Sequence, residues 1–275
     1  MILVGPRYSG GVRYGRAAFS KGLIPMNDFN RGYARSIPVD RADMSVDAGL
    51  RSFMLGVYNK VALGLLLSAV LAFLTTAYAP VANMLYVLTP DGRLAGFTAL
   101  GMVVRFAPLA MILVSVFAMR NPTARSSGIL YWALVSTIGA GLGLWLIVYN
   151  IQSVFTTFLI TAIAFGGLSL FGYTTKKDLT GFGSFLIMGL IGLVLASLAQ
   201  MFLRLPGLSF IISILGVFIF AGLIAYDTQK LKMNYYEMGG DQQSMAVATN
   251  YGALNLYLNF INLFQFLLSI FGSRR

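Results

Sequence analysis

Inside a chain of 275 residues, the residue type with the clearest chemical potential is a lone carboxylate at the end of an apolar run. Asp227 follows Gly207–Tyr226, a segment without a single charged residue. A carboxylate at membrane depth is costly, and its usual uses are to hold a cation or to exchange a proton. Further along, Tyr251, Asn255, Asn259 and Asn262 recur at i, i+4, i+8 and i+11, one polar stripe at helical spacing. Amides there lose hydrogen bonds if they face lipid, so the stripe is expected to face protein or a wet cavity. Plainer alternatives stay open at this point. The helix can end at Asp227, leaving its carboxylate among headgroups with Lys230 as a partner one turn on. The stripe can be interhelical glue worth under about 2 kcal/mol per contact.

Other chemistry is missing. The chain has no Cys and no His, which removes thiolate and imidazole metal sites, cysteine nucleophiles and Ser-His-Asp triads. Intramembrane aspartyl proteolysis needs a second, partnering carboxylate. Tyr226 and Asp227 supply one half of such a motif, but Asp241, after Gly239 and Gly240, falls in a polar loop, and no GxGD segment follows Asp227. The reading is therefore a non-enzyme without a cofactor.

The elements that must position these residues are membrane helices. Hydrophobic residues make up 57% of the chain against 11% charged, the profile of several bilayer crossings. Apolar stretches of membrane-spanning length fall near 54–79, 99–119, 127–149, 153–173, 182–203, 207–227 and 246–271. The expected fold is all-α, a seven-helix membrane bundle over 54–275. Gly139, Gly141 and Gly143 in the third span, with Gly189 and Gly192 in the fifth, are read as packing positions. Short links around Asn150–Gln152 and Arg204–Pro206 imply antiparallel neighbours.

Charge sets the orientation. Residues 1–53 hold eight Lys and Arg, and alternate loops add Arg120, Arg125, Lys176, Lys177, Lys230 and Lys232. The amino terminus is accordingly expected in the cytoplasm. The net charge of +11 is then mainly a topology signal, with membrane lipid as the expected partner rather than nucleic acid. Residues 1–53 read as a flexible basic tail. Within it, residues 1–25 are basic and free of acids; they resemble a mitochondrial transit peptide in composition, or form an upstream extension before a start at Met26, the favoured reading. The corresponding locations are the bacterial inner membrane or, alternatively, the mitochondrial inner membrane.

Three segments carry a specific resemblance: GYTTKKDLT (172–180), FIISILGVFIFAGLIAYDTQKLK (210–232) and ALNLYLNFINLFQFLLSIFG (253–272). From about Met26 onward the chain resembles the bacterial, YccA-like branch of the Bax inhibitor-1 family. The resemblance implies a seven-helix fold whose last, semi-polar helix is surrounded by the other six, with Tyr226, Thr228 and Gln229 as motif residues beside Asp227. For calcium-leak members it also implies two aspartates, one on the sixth span and one on the seventh, that share a proton and gate a divalent-cation path.

This chain departs from that pattern. Asp227 matches the first aspartate, but Asn259 stands at the second, and Asn255 at another position often acidic in animal members. A pair coupled by like charge is absent, and a cation site has one formal charge fewer. Two functions follow from the resemblance. One is a cation leak, most naturally for calcium as the permeant ion, with Asp227 as ligand and gate, Asn259 across from it, and pH gating weakened or lost. The other, taken from YccA-like relatives, is a modulator of a membrane-embedded protease that engages the amino-terminal tail, akin to a stress or cell-death suppressor.

Overall fold

The computed structural model describes residues 47–203, 205 and 207–275. The basic tail before residue 47, with the Met26 start and the protease-engaging segment, lies outside the described residues.

Among the described residues there are eight helices and one hairpin. They run α1 (Ala48–Ala77), α2 (Ala79–Leu85), β1 (Tyr86–Leu88), β2 (Leu94–Phe97), α3 (Ala99–Ala118), α4 (Ala124–Val148), α5 (Ile151–Thr174), α6 (Thr180–Leu203), α7 (Leu208–Glu237) and α8 (Gln242–Phe271). All but α2 are long and apolar enough to span a membrane, and the chain is an all-α membrane protein with the seven expected spans.

The helix starts are written in short polar side chains. The Asp47 carboxylate accepts from Leu50 N–H at 2.9 Å, Thr123 and Ser126 form a reciprocal capping box, and Asp241 accepts from Ser244 N–H at 2.8 Å. Both carboxylates at the loop-facing ends of α6 and α8 gain from this geometry. Bonds from Thr180 hold the Asp178 carboxyl below the usual carboxylate range, and bonds from Ser244 do the same for Asp241. Two helices are longer than their apolar runs. The first span starts at Ala48 rather than 54, because Leu50, Phe53 and Met54 are buried in the core. The sixth, α7, runs ten residues past Asp227 and stops before Gly239 and Gly240, both at positive φ.

Packing places α8 at the centre. Just over half of its most apolar stretch (56%) is buried, against 6% for α3 and 11% for α6. Its direct neighbours are α1, α4, α5 and α7, while α3 leans on α4 and α6 on α7. One apolar core joins α8 to α1 and α4 through Val57, Tyr131, Leu134 and Tyr257, and a second joins it to α6 and α7 through Leu186, Ile224 and Leu263. The α1–α4 seam is close: a Cβ on Gly139 would lie 2.6 Å from the Ser68 backbone. Gly141 and Gly192 differ from the expectation of packing positions, since a Cβ at either meets nothing within 4 Å.

The hairpin β1–β2 and the short helix α2 fill the α1–α3 connection. At the same end, the chain's last residues are pinned: Asn150 N–H donates to Ser273 O at 2.9 Å and Arg275 N–H to Val148 O at 3.1 Å.

Candidate functional site

Asp227 is half-buried in the interior of α7, with almost three helical turns following it. The alternative in which the helix ends at Asp227 is thus set aside, because the polar residues after it continue the helix with Leu231 and Lys232 buried. Across from it, Asn259 of α8 is only 7% exposed and donates from Nδ2 to Asp227 Oδ2 at 2.7 Å. The amide's donor end is therefore turned to the carboxyl oxygen. Lys230 bears on Asp227 electrostatically, but its ammonium lies over the Tyr226 ring, 6.0 Å from the centroid.

The remaining stripe residues divide. Asn255 is exposed, and Tyr251 and Asn262 are half-buried. Asn262 spends its amide on the Leu258 carbonyl of its own helix at 2.8 Å, and the Tyr251 hydroxyl reaches Met119 Sδ at 4.0 Å. Asn255 corrects the expectation that the whole stripe faces protein or cavity. Its exposure is not a matter of helical phase: at 3.6 residues per turn Asn255 stands roughly 40° around α8 from both Tyr251 and Asn259, inside the stripe rather than at its edge. Only Asn259 reaches Asp227.

The three motif residues around Asp227 point elsewhere. Tyr226 packs its ring on Gly183 of α6, where a Cβ would clash. Thr228 is fully buried beside the Tyr58 hydroxyl, which Ser169 of α5 also approaches, and neither hydroxyl reaches hydrogen-bond geometry. Gln229 is a clamp: its Oε1 accepts from Leu179 N–H at 2.8 Å and its Nε2 donates to Lys177 O at 2.7 Å. That clamp ties the KKDLT turn to α7, so two of the sequence segments singled out above are one structural unit.

A second polar contact escaped the sequence reading. Lys60 of α1 donates to Asn250 Oδ1 of α8, while Asn250 Nδ2 donates to Ala124 O at 3.0 Å and Ser127 Oγ at 2.9 Å. Tyr131 of α4 donates to the Lys60 carbonyl at 2.6 Å, and Ser68 and Tyr257 hydroxyls meet at 2.7 Å deeper along the same seam. The signal for it was Lys60 itself, an ammonium inside a span that must find an acceptor.

Among the described residues no group of three or more acidic, His or Cys side chains is placed to hold a metal ion. The Asp227–Asn259 pair offers one carboxylate and one amide. That falls far short of the six to eight oxygens of a resident calcium site, and suits a passing ion that keeps much of its water.

Comparison with known proteins gives the same grouping as the motifs. Residues 50–275 match the family model described as "Inhibitor of apoptosis-promoting Bax1". A 250-residue alignment, 91% of this chain, covers the full length of an uncharacterized protein of Caulobacter vibrioides at 68% identity. Inner membrane protein YbhL of Escherichia coli K12 is 40% identical over 83% of this chain and 94% of its own length. The uncharacterized protein RP147 of Rickettsia prowazekii is 38% identical over 88% and 98%.

Proposed function

The chain belongs to the Bax inhibitor-1 family, and we propose that it is a cation leak of the bacterial inner membrane, with calcium as the permeant ion. The observation that carries this reading is the 2.7 Å contact between Asp227 and Asn259, which puts a carboxylate in mid-helix against the central helix of the bundle. Asp227 acts as transient ligand, and Asn259 orients it. Because the partner is an amide, no second carboxylate competes for a proton, and the path is at most weakly gated by pH.

Location and orientation belong to the same proposal. The inner membrane is the site printed in the name of the Escherichia coli relative. Arg51, the Arg120–Arg125 turn, the Lys176–Lys177 turn and the end of α7 all lie at helix ends on one side; by the excess of Lys and Arg that side is cytoplasmic.

Calcium flux into proteoliposomes between about pH 5 and 8 tests the proposal with three proteins. The native chain is expected to pass calcium, and Asp227→Asn to lose about tenfold, since ion affinity follows ligand charge. Asn259→Asp, which restores a pair of carboxylates, is expected to gain a pH dependence the native chain lacks. If none of the three exceeds empty vesicles, the leak reading fails, and modulation of a membrane-embedded protease becomes the function to test by removing the amino-terminal tail.

A further inference from the structure

At the opposite end of the bundle from the α7–α8 loop lies a cavity of about 250 Å³ between the hairpin, α3, α4 and the far end of α8. Its walls are mixed, with the larger share apolar and supplied chiefly by Leu85, Val104, Pro108, Ile138, Leu142 and Trp145. Four polar side chains line it: Thr137, Arg105, Gln265 and Tyr86, whose hydroxyl donates to the Ala140 carbonyl. Thr137 donates to the Ala133 carbonyl of its own helix at 2.7 Å. Arg105 is the single charged group in the lining, and no carboxylate faces it there.

Arg105 sits six residues into α3, about 9 Å along the helix from its start. One face of the guanidinium packs on Phe97, 4.9 Å from the ring centroid, which fixes its plane and leaves the N–H fork for another partner. The surroundings identify that partner. Arg105 is itself exposed, and Met102 and Leu109, one turn to either side of it along α3, are about half exposed or more, so the guanidinium borders the apolar outer surface of the helix. A cation is repelled from such a lining. A soluble anion gains nothing from its apolar walls.

We propose that this cavity binds an anionic membrane phospholipid, with the phosphate on Arg105 and part of one acyl chain between α3 and α4. The fit is one of charge and polarity together: a guanidinium fork matches a phosphate, and the pocket behind it takes hydrocarbon. This site is separate from Asp227 and stands whether or not the chain passes calcium.

Trp145 lines the cavity and the chain has only one other tryptophan, Trp132, so the full-length Trp132→Phe protein has a single reporter in the pocket. In phosphatidylcholine vesicles, its fluorescence is titrated with phosphatidylglycerol brominated on the acyl chains, and separately with phosphatidylcholine brominated in the same way. The expected preference for the anionic lipid is about fivefold in the mole fraction giving half quenching, the effect of one basic side chain at an anionic headgroup. Arg105→Gln abolishes the preference and Arg105→Lys retains part of it. Gly141→Leu fills the pocket, because a Cβ at Gly141 meets nothing within 4 Å, and reduces quenching by both lipids with Arg105 intact. Millimolar inorganic phosphate leaves the quenching unchanged. Equal quenching by the two lipids, or a preference surviving Arg105→Gln, overturns the proposal. So does stronger quenching by a brominated fatty acid than by the phospholipid, which would assign the site to a free carboxylate, and competition by inorganic phosphate, which would assign it to a soluble anion.

Discussion

Two asparagines of α8 handle opposite charges with opposite ends of the same group. Asn250 turns its oxygen to the Lys60 ammonium and ties both ends of its amide to α1 and α4. Asn259 turns its nitrogen to the Asp227 carboxylate through a single bond. In the first, the amide has its oxygen and both of its N–H donors committed. The second leaves the carboxylate with acceptor capacity for water or an ion. A charged group inside a span is thus not by itself a functional site; the number of its partners already committed separates a fastening from a place where something can bind.

The sharpest way to break that contrast is to remove each amide. Asn250→Leu strands the half-buried Lys60 ammonium and removes three hydrogen bonds, and is expected to cost about 2–3 kcal/mol, read as a fall in unfolding midpoint in detergent. Replacing both partners, Lys60→Met with Asn250→Leu, is expected to recover most of that loss, because an apolar pair of similar volume leaves nothing unpaired. Asn259→Leu removes one bond and costs about 1 kcal/mol by the same assay, while its larger effect falls on flux. Equal costs for the two single substitutions would show that both contacts are fastenings. The smallest effect concerns the start of α8, whose register places both asparagines. Bonds from Ser244 hold the Asp241 carboxyl below its ordinary 3.8. A carboxyl held low in the folded state stabilises it above the unfolded value and loses that contribution as pH falls through the folded one. Asp241→Ala is therefore expected to lower the unfolding midpoint slightly at neutral pH, with the gap to the native chain closing below pH 3.8.

Much of this was legible in the residues. Seven apolar runs give seven spans because length against the bilayer is a strong constraint; Asp227 and the stripe holding Asn259 were each found because polar groups at membrane depth need a reason, while their pairing was implied by the family resemblance. The misses have particular causes. Hydropathy ends the sixth span at Asp227, but a helix ends only where its backbone is interrupted, at Gly239 and Gly240. Periodicity grouped Asn255 with Asn259 and does place it inside the stripe, yet helical phase alone does not say which neighbouring helix covers each level of α8. Asn250, adjacent to Tyr251 but a hundred degrees or so around the helix, fell outside the stripe altogether, and its partner Lys60 lies 190 residues earlier, a distance no local pattern bridges.

The centrality of α8 has a consequence for how the protein is made. The most enclosed helix follows the other six spans in the chain, so those six leave the ribosome before the element that both apolar cores are built around exists. Until it arrives, Lys60 lacks Asn250 and Asp227 lacks Asn259. Synthesis thus passes through a stage in which two charged groups in the bilayer lack their amide partners, and arrival of α8, fastened through Ser273 and Arg275, supplies both.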